Sequence, residues 1–196
     1  MKKNKLTAFI AAFCLLCTGI PVTSYQDTCV MTAAAATDEQ PVYGDFNYTV
    51  EDGYVALTAY TGDGTNIEIP TEIEGMPVTK LGATLFYEMP VTEIVIPEGY
   101  VGHHDYDGLY EYRVFSGCSS LNNFTIPNGI KTIGASAFSD CSSLSNIIIP
   151  TTVTEIQSSA FSNCTSLDNI NINNIKILGR AAFLGCTSLS SEINLG

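Results

Sequence analysis

Phe115-Ser116-Gly117-Cys118-Ser119-Ser120-Leu121 recurs as Phe138-Ser139-Asp140-Cys141-Ser142-Ser143-Leu144, as Phe161-Ser162-Asn163-Cys164-Thr165-Ser166-Leu167 and as Phe183-Leu184-Gly185-Cys186-Thr187-Ser188-Leu189. Successive phenylalanines stand 23, 23 and 22 residues apart. A fixed period of this size marks a solenoid, in which each unit buries its apolar face against its neighbours rather than within itself. The fold is therefore a stack of coils.

Inside one unit the spacing identifies the buried columns. Ile133, Ile156 and Leu178 lie five residues before the phenylalanines, Ile130, Val153 and Ile175 eight before, and Ala137, Ala160 and Ala182 directly before. After each cysteine come Leu121, Phe124 and Ile126, then Leu144, Ile147 and Ile149, then Leu167, Ile170 and Ile172. The last two of each set keep strand period, so each unit is expected to give one short strand to a parallel sheet. Pro127 and Pro150 end the strands, because proline lacks the donor a ladder needs, and Asn173 takes that place in the third copy. The Ala-Phe segment leaves room only for a turn or a short helix. Cys118, Cys141, Cys164 and Cys186 should form an internal column of reduced thiols. Parallel coils about 4.8 Å apart hold in-register Cβ atoms wider than the roughly 3.8 Å that a disulfide prefers.

Working outward, Ile67-Glu68-Ile69-Pro70 opens the stack, and Leu81-Gly82-Ala83-Thr84-Leu85-Phe86 is a degenerate unit with Met89 in the cysteine place. Val91, Ile94 and Ile96 form its strand, closed by Pro97. The next Pro-to-Pro step, 97 to 127, is 30 residues against the 23 from Pro127 to Pro150, which locates an insertion at 98–112. Before the stack, 37–66 reads as a β cap: Tyr43 to Ile69 alternates apolar and polar residues around Glu51-Asp52-Gly53 and Gly62-Asp63-Gly64, both good hairpin turns. The solenoid proper runs from 67 to 196.

The wording of the units resembles the BspA-like leucine-rich repeat family of bacterial surface proteins, whose units read Ile-Pro, a spacer, Ile-Gly, Ala-Phe, Cys, Leu, Ile. Here Ile126-Pro127, Ile133-Gly134, Ala137-Phe138, Cys141, Leu144 and Ile147 fall in that register. The resemblance covers about 67–195 in units, and the segment from Tyr43 resembles the family's N-terminal cap. It implies a right-handed leucine-rich repeat solenoid with a parallel sheet, about five units of roughly 23 residues, capped by an N-terminal β-hairpin segment. It also implies export and a role in binding or adhesion, and it implies no catalytic residues.

Residues 1–36 read as a signal peptide. Lys2, Lys3 and Lys5 precede an apolar run from Leu6 to Ile20 that is shorter than the roughly 20 residues a membrane span needs, and Ala33 to Ala36 offer a cleavage site before Thr37. The localisation expected is secreted or cell surface. Without that segment 5 bases stand against 19 acids, and 15 of the acids lie in 37–114. Such a balance excludes nucleic acid and anionic membrane surfaces as partners, since their phosphates require Lys and Arg.

Three sets of residues are candidates for function. His103 and His104, beside Asp105 and Asp107, are the two histidines of the chain. Adjacent histidines on a loop point apart and converge poorly on zinc, so no metal and no cofactor are expected; a metal-dependent hydrolase using the His103/His104/Asp105 loop is the alternative to a non-enzymatic protein. Tyr100, Tyr106 and Tyr112, with Asp105, Asp107 and Glu111 to steer a basic partner, offer broad rings with polar tips for protein or sugar recognition. Tyr110, by its spacing, falls at the buried Ile133 position. The third set is the outward side of the strands, where Glu93, Asn123, Asn146 and Asn169 form one ladder and Val95, Thr125 and Ile148 a second. The asparagines suit either hydrogen bonding along the stack or docking of a ligand. The reading is an interaction protein for a protein or polysaccharide ligand, bound by the insertion together with the adjoining outward strands. The last coil finishes with Ser191 to Gly196, with nothing after it to cover its open face, so fraying or end-to-end pairing of two chains is expected.

Overall fold

Parallel strand pairings about 23 residues apart in sequence, on two sides of the coil, make a β-solenoid of about five turns. The computed structural model describes residues 40–97, 100, 108–109 and 112–189.

The chain enters through β1 (Val42–Tyr43), β2 (Phe46–Glu51) and β3 (Tyr54–Tyr60), joined antiparallel. Asp52 and Gly53, at φ 50° and 83°, make the β2–β3 turn, where Asp and Gly tolerate the left-handed region at least cost. Next come β4 (Asn66–Glu68), β5 (Glu72–Ile73) and β6 (Met76–Leu81). β6 pairs parallel with β3 and antiparallel with β5, so the sheet of the cap runs β1-β2-β3-β6-β5 and takes in residues after 66, while β4 already pairs parallel with β7 (Glu93–Val95) of the following coil. Cap and stack are interleaved there. Phe46, Tyr48, Val55 and Leu57 are buried against Ile67, Ile69 and Phe86, which closes the N-terminal end of the core.

Beyond β7 strands form on two sides of the coil where the spacing suggests one. On the first side lie β9 (Asn123–Thr125) and β11 (Asn146–Ile148), extended by a bridge from Asn146 to Asn169. On the other side β8 (Gly108–Leu109), β10 (Thr132–Ile133), β12 (Glu155–Ile156) and β13 (Ile177–Leu178) form a second parallel ladder. Two-residue strands leave too short a pattern for alternation to betray them. The register also sets Leu109, rather than Tyr110, opposite Ile133, because the coil with the insertion has one more residue between this strand and its phenylalanine than the next coil has. Tyr110 lies outside the described residues.

Between the second strand and the cysteine the chain makes turns, with no helix among the described residues. These turns are hydrogen bonded from coil to coil: Phe115 N–H donates to Ala137 O at 2.9 Å, Phe138 to Ala160 at 2.8 Å and Phe161 to Ala182 at 2.8 Å. To aim alternate amides at the next coil, each turn puts two residues four apart in the left-handed region: Thr84 and Glu88, Arg113 and Gly117, Ser136 and Asp140, Ser159 and Asn163, Ala181 and Gly185. The second of each pair is Gly, Asp or Asn in four coils, the residues that pay least for positive φ. Thr84, exposed and β-branched at φ 60°, is the least suited. Thr84→Gly should stabilise the protein by about 0.5–1 kcal/mol, the difference between the left-handed cost of roughly 1–2 and the entropic cost of glycine of roughly 0.5–1. A urea midpoint that falls, at unchanged m, would count against this strain.

The core columns are as the period predicts. Phe115, Phe138 and Phe161 are fully buried and stack ring on ring, with centroids 5.1 and 5.4 Å apart and interplanar angles of 19° and 4°. Ile130, Ile133, Ala137, Val153, Ile156 and Ala160 are each 0% exposed. Cys118, Cys141, Cys164 and Cys186 are buried free thiols. They do more than fill space: each Sγ–H donates to the phenylalanine carbonyl one coil earlier, Cys118 to Phe86 at 3.0 Å, Cys141 to Phe115 and Cys164 to Phe138 at 3.1 Å, and Cys186 to Phe161 at 3.0 Å. The Phe115, Phe138 and Phe161 carbonyls already accept from the amide of the cysteine three residues on, so the thiol serves the second lone pair. Burial fades at the last coil, where Leu178, in the column of Ile133 and Ile156, is 43% exposed and Leu184 64%. The expectations for the signal peptide, for His103 and His104 and for the segment 191–196 lie outside the described residues.

Candidate functional surface

Strands with one residue in and two out present their outward side chains in columns. β4, β7, β9 and β11 all show the burial order exposed, buried, exposed, with Ile67, Ile94, Phe124 and Ile147 inward. Register then sets Asn66 beside Glu93 and Glu68 beside Val95, and Asn123 beside Asn146 and Thr125 beside Ile148. Asn169 follows Asn146 through its bridge. The two ladders read from sequence therefore exist, with Val95 and Ile148 as exposed apolar steps in the second, 46% and 56% exposed. Among the described residues no side-chain hydrogen bond joins Asn123, Asn146 and Asn169, so these amides are not engaged in a ladder of their own.

The sheet is interrupted once along this face. β4 pairs with β7 and β9 with β11, but β7 and β9 do not pair; Asn122 N–H to Thr92 O, at 3.5 Å, is the link between them. The gap falls in the coil whose Pro97-to-Pro127 step is seven residues longer than the step from Pro127 to Pro150. It opens a cleft of about 270 Å³ lined by Thr92, Glu93, Asn122 and Asn123. Thr92 Oγ1 is held on Asn66 Oδ1 at 2.7 Å and Thr65 O at 3.2 Å, which fixes the rim nearest the cap. Two amides and a carboxylate in a shallow cleft supply donors and acceptors for hydroxyls or peptide groups. They include no nucleophile with an adjacent base.

The aromatic candidates fare differently. Tyr100 is 5% exposed and part of the core, its amide donating to Pro97 O at 3.3 Å, so it supplies packing rather than contact area. That corrects its place among the ligand-binding tyrosines: a buried ring removes more apolar surface from water than an exposed one. Tyr112 is 57% exposed. Asp105, Tyr106 and Asp107 lie outside the described residues. Among the described residues no three His, Cys, Asp or Glu side chains come together as metal ligands.

One constellation was not legible in the sequence. Arg113 Cζ lies over the ring of Tyr87 at 5.2 Å and over that of Tyr112 at 5.5 Å. Its Nε is buried without a hydrogen-bond partner. Asp140, on the next coil, accepts from Ser139 Oγ at 2.6 Å and from Asn163 Nδ2 at 2.8 Å. Those two hydrogen bonds, with Arg113 as a further influence, hold its carboxyl below the ordinary range. Tyr87 and Tyr112 sit at different offsets from their own phenylalanines, so no periodic signal pairs them.

Residues 109–195 match the BspA type leucine rich repeat region. Nothing among the curated proteins matches the chain. Of solved structures, the pneumococcal vaccine antigen PcpA is 18% identical with a TM-score of 0.55, over 75% of this chain and 47% of that one. A Treponema (T. pallidum) leucine rich repeat protein is 24% identical with a TM-score of 0.48, over 78% of this chain and 92% of that one. A leucine rich cell surface protein of Faecalibacterium prausnitzii is 23% identical with a TM-score of 0.44, over 80% of this chain and 55% of that one. The chain thus spans about half the length of the first and third. At these identities the likeness bears on fold alone.

Proposed function

We propose that this chain, whose residues 109–195 are a BspA type leucine-rich repeat region, is an exported, non-enzymatic interaction protein that binds a protein or polysaccharide through the outward strand face, in the manner of an adhesin. The observation that carries the reading is the cleft between β7 and β9, set among two columns of exposed side chains whose asparagine amides are uncommitted. A rigid stack presents such a surface at little ordering cost, and β7 leads directly into the insertion at 98–112, a segment a solenoid can carry only as a loop. Val95, Thr125 and Ile148 add contact area beside the polar column of Glu93, Asn123 and Asn146. The acids of the first half favour a basic partner, with affinity falling as salt rises.

The test is a binding screen of the chain against matrix proteins and polysaccharides, repeated with variants. For a ligand so found, Asn123→Ala combined with Glu93→Gln should weaken binding about tenfold or more, while Asn169→Ala, at the far end of the column, should change it by less than about threefold. Deleting 101–107 spares the buried Tyr100 and strand β8, so that variant should still melt cooperatively. Full affinity in the Asn123/Glu93 variant would remove the cleft from the site.

A further inference from the structure

We propose that Arg113, between Tyr87 and Tyr112, is the anion-binding centre of a second site, one for an acidic saccharide whose ring bears a single carboxylate. The two rings lie 5.2 and 5.5 Å from Arg113 Cζ, and this arrangement presets the guanidinium plane without supplying it an acceptor. Its Nε is buried out of reach of solvent, so the two terminal Nη groups are what an incoming carboxylate would meet. Asp140, which feels the charge of Arg113, has its oxygens on Ser139 and Asn163 instead. A planar fork held in this way matches a carboxylate, which takes two parallel N–H bonds.

The surroundings narrow the ligand further. Tyr112 has 57% of its surface in solvent, which offers an aromatic face on which the apolar side of a pyranose can stack beside the charge. Glu88, bonded to Tyr87, and Asp140 bring negative charge to the site, so a densely charged phosphate or sulfate is repelled more strongly than a single carboxylate. A peptide C-terminus is the rival carboxylate. Peptide carboxylates are captured by free backbone amides, and here the amides of Thr84, Phe86, Glu88, Arg113, Phe115 and Gly117 are all spent on neighbouring coils. This site stands apart from the strand face, so it survives failure of the cleft and the reverse.

Trisaccharides of galacturonate and of glucuronate, their methyl esters and a short peptide with a free C-terminus can be titrated into the full chain, with tyrosine ring resonances and calorimetry as readouts. A uronate trisaccharide should shift the rings of Tyr87 and Tyr112, and its methyl ester should bind about tenfold more weakly or worse, having lost the charged pair. Arg113→Met and Tyr112→Ala should each lower uronate affinity about tenfold; Tyr112 is exposed, so its variant keeps the fold even if replacing Arg113 disturbs it. Absence of binding by either uronate, equal binding of ester and acid, no loss in the Tyr112 variant, or capture of the peptide in place of the sugar would each overturn the proposal.

Discussion

Phe138→Ala should destabilise the protein by about 3–5 kcal/mol, close to the whole stability of a small domain. Phe138 is 0% exposed and touches three rings: Phe115 at 5.1 Å, Phe161 at 5.4 Å and Phe124 at 4.9 Å between centroids. Truncation leaves a void that stacked coils cannot close, because their spacing is held by hydrogen bonds from Arg113, Phe115 and Gly117 on one side and Ser136, Phe138 and Asp140 on the other. Phe183→Ala is the control. That ring is only half-buried and has one ring neighbour, Phe161 at 5.4 Å, so its loss should cost less than half as much. Urea melts of the two variants measure the difference; equal costs would mean that the last coil is as tightly packed as the middle of the stack.

Alkaline pH should unfold the protein through its cysteine column. Burial pushes the Cys118 thiol up to about 12. Burial first, and then Cys118, raise Cys141 well above the ordinary range, while the contact between Cys164 and Cys186 raises the first and lowers the second. An unfolded thiol ionises near pH 8.5, so above that value the unfolded state has released protons that the folded state retains, and stability falls as pH rises. Cys118 and Cys141 each contribute a slope of about 1.4 kcal/mol per pH unit, about 3 kcal/mol per unit together between roughly pH 9 and 12, and the opposed shifts of Cys164 and Cys186 make that pair's addition smaller. Below pH 8 the contribution of Cys118 and Cys141 is complete. Tyr48, raised by burial and by Glu74, adds to the fall only above about pH 10. Urea midpoints measured from pH 7 to 11 report the slope. Replacing Cys118, Cys141 and Cys164 together by serine keeps a donor for each phenylalanine carbonyl and removes the ionisation, so the slope should flatten. A wild-type midpoint unchanged from pH 8 to 11 would show that the thiols are not held protonated.

The cysteines also show how far sequence reasoning reaches. A reduced, buried column follows from period and strand spacing, whereas the Sγ donation to Phe86, Phe115, Phe138 and Phe161 needs the relative rotation of adjacent coils. The outward columns of Glu93, Asn123 and Asn146 were legible for the same reason as the core: strand alternation decides inside from outside residue by residue. The cleft beside them was not, since it is an absence of pairing between two strands that each look ordinary.

By itself the sequence determined the stacked architecture, the identity of the buried columns and the place where the period is broken, because each follows from which residue types recur at a constant interval. Tertiary structure alone decided what happens at the break. There Leu109 takes the register that spacing assigns to Tyr110, Tyr100 turns into the core, β7 and β9 part around Glu93 and Asn123, and Tyr87, Arg113 and Tyr112 meet from two coils. A repeat specifies its neighbours by translation along the stack; where the inserted residues end that translation, contacts are chosen by burial and hydrogen bonding in three dimensions, which no interval in the sequence encodes.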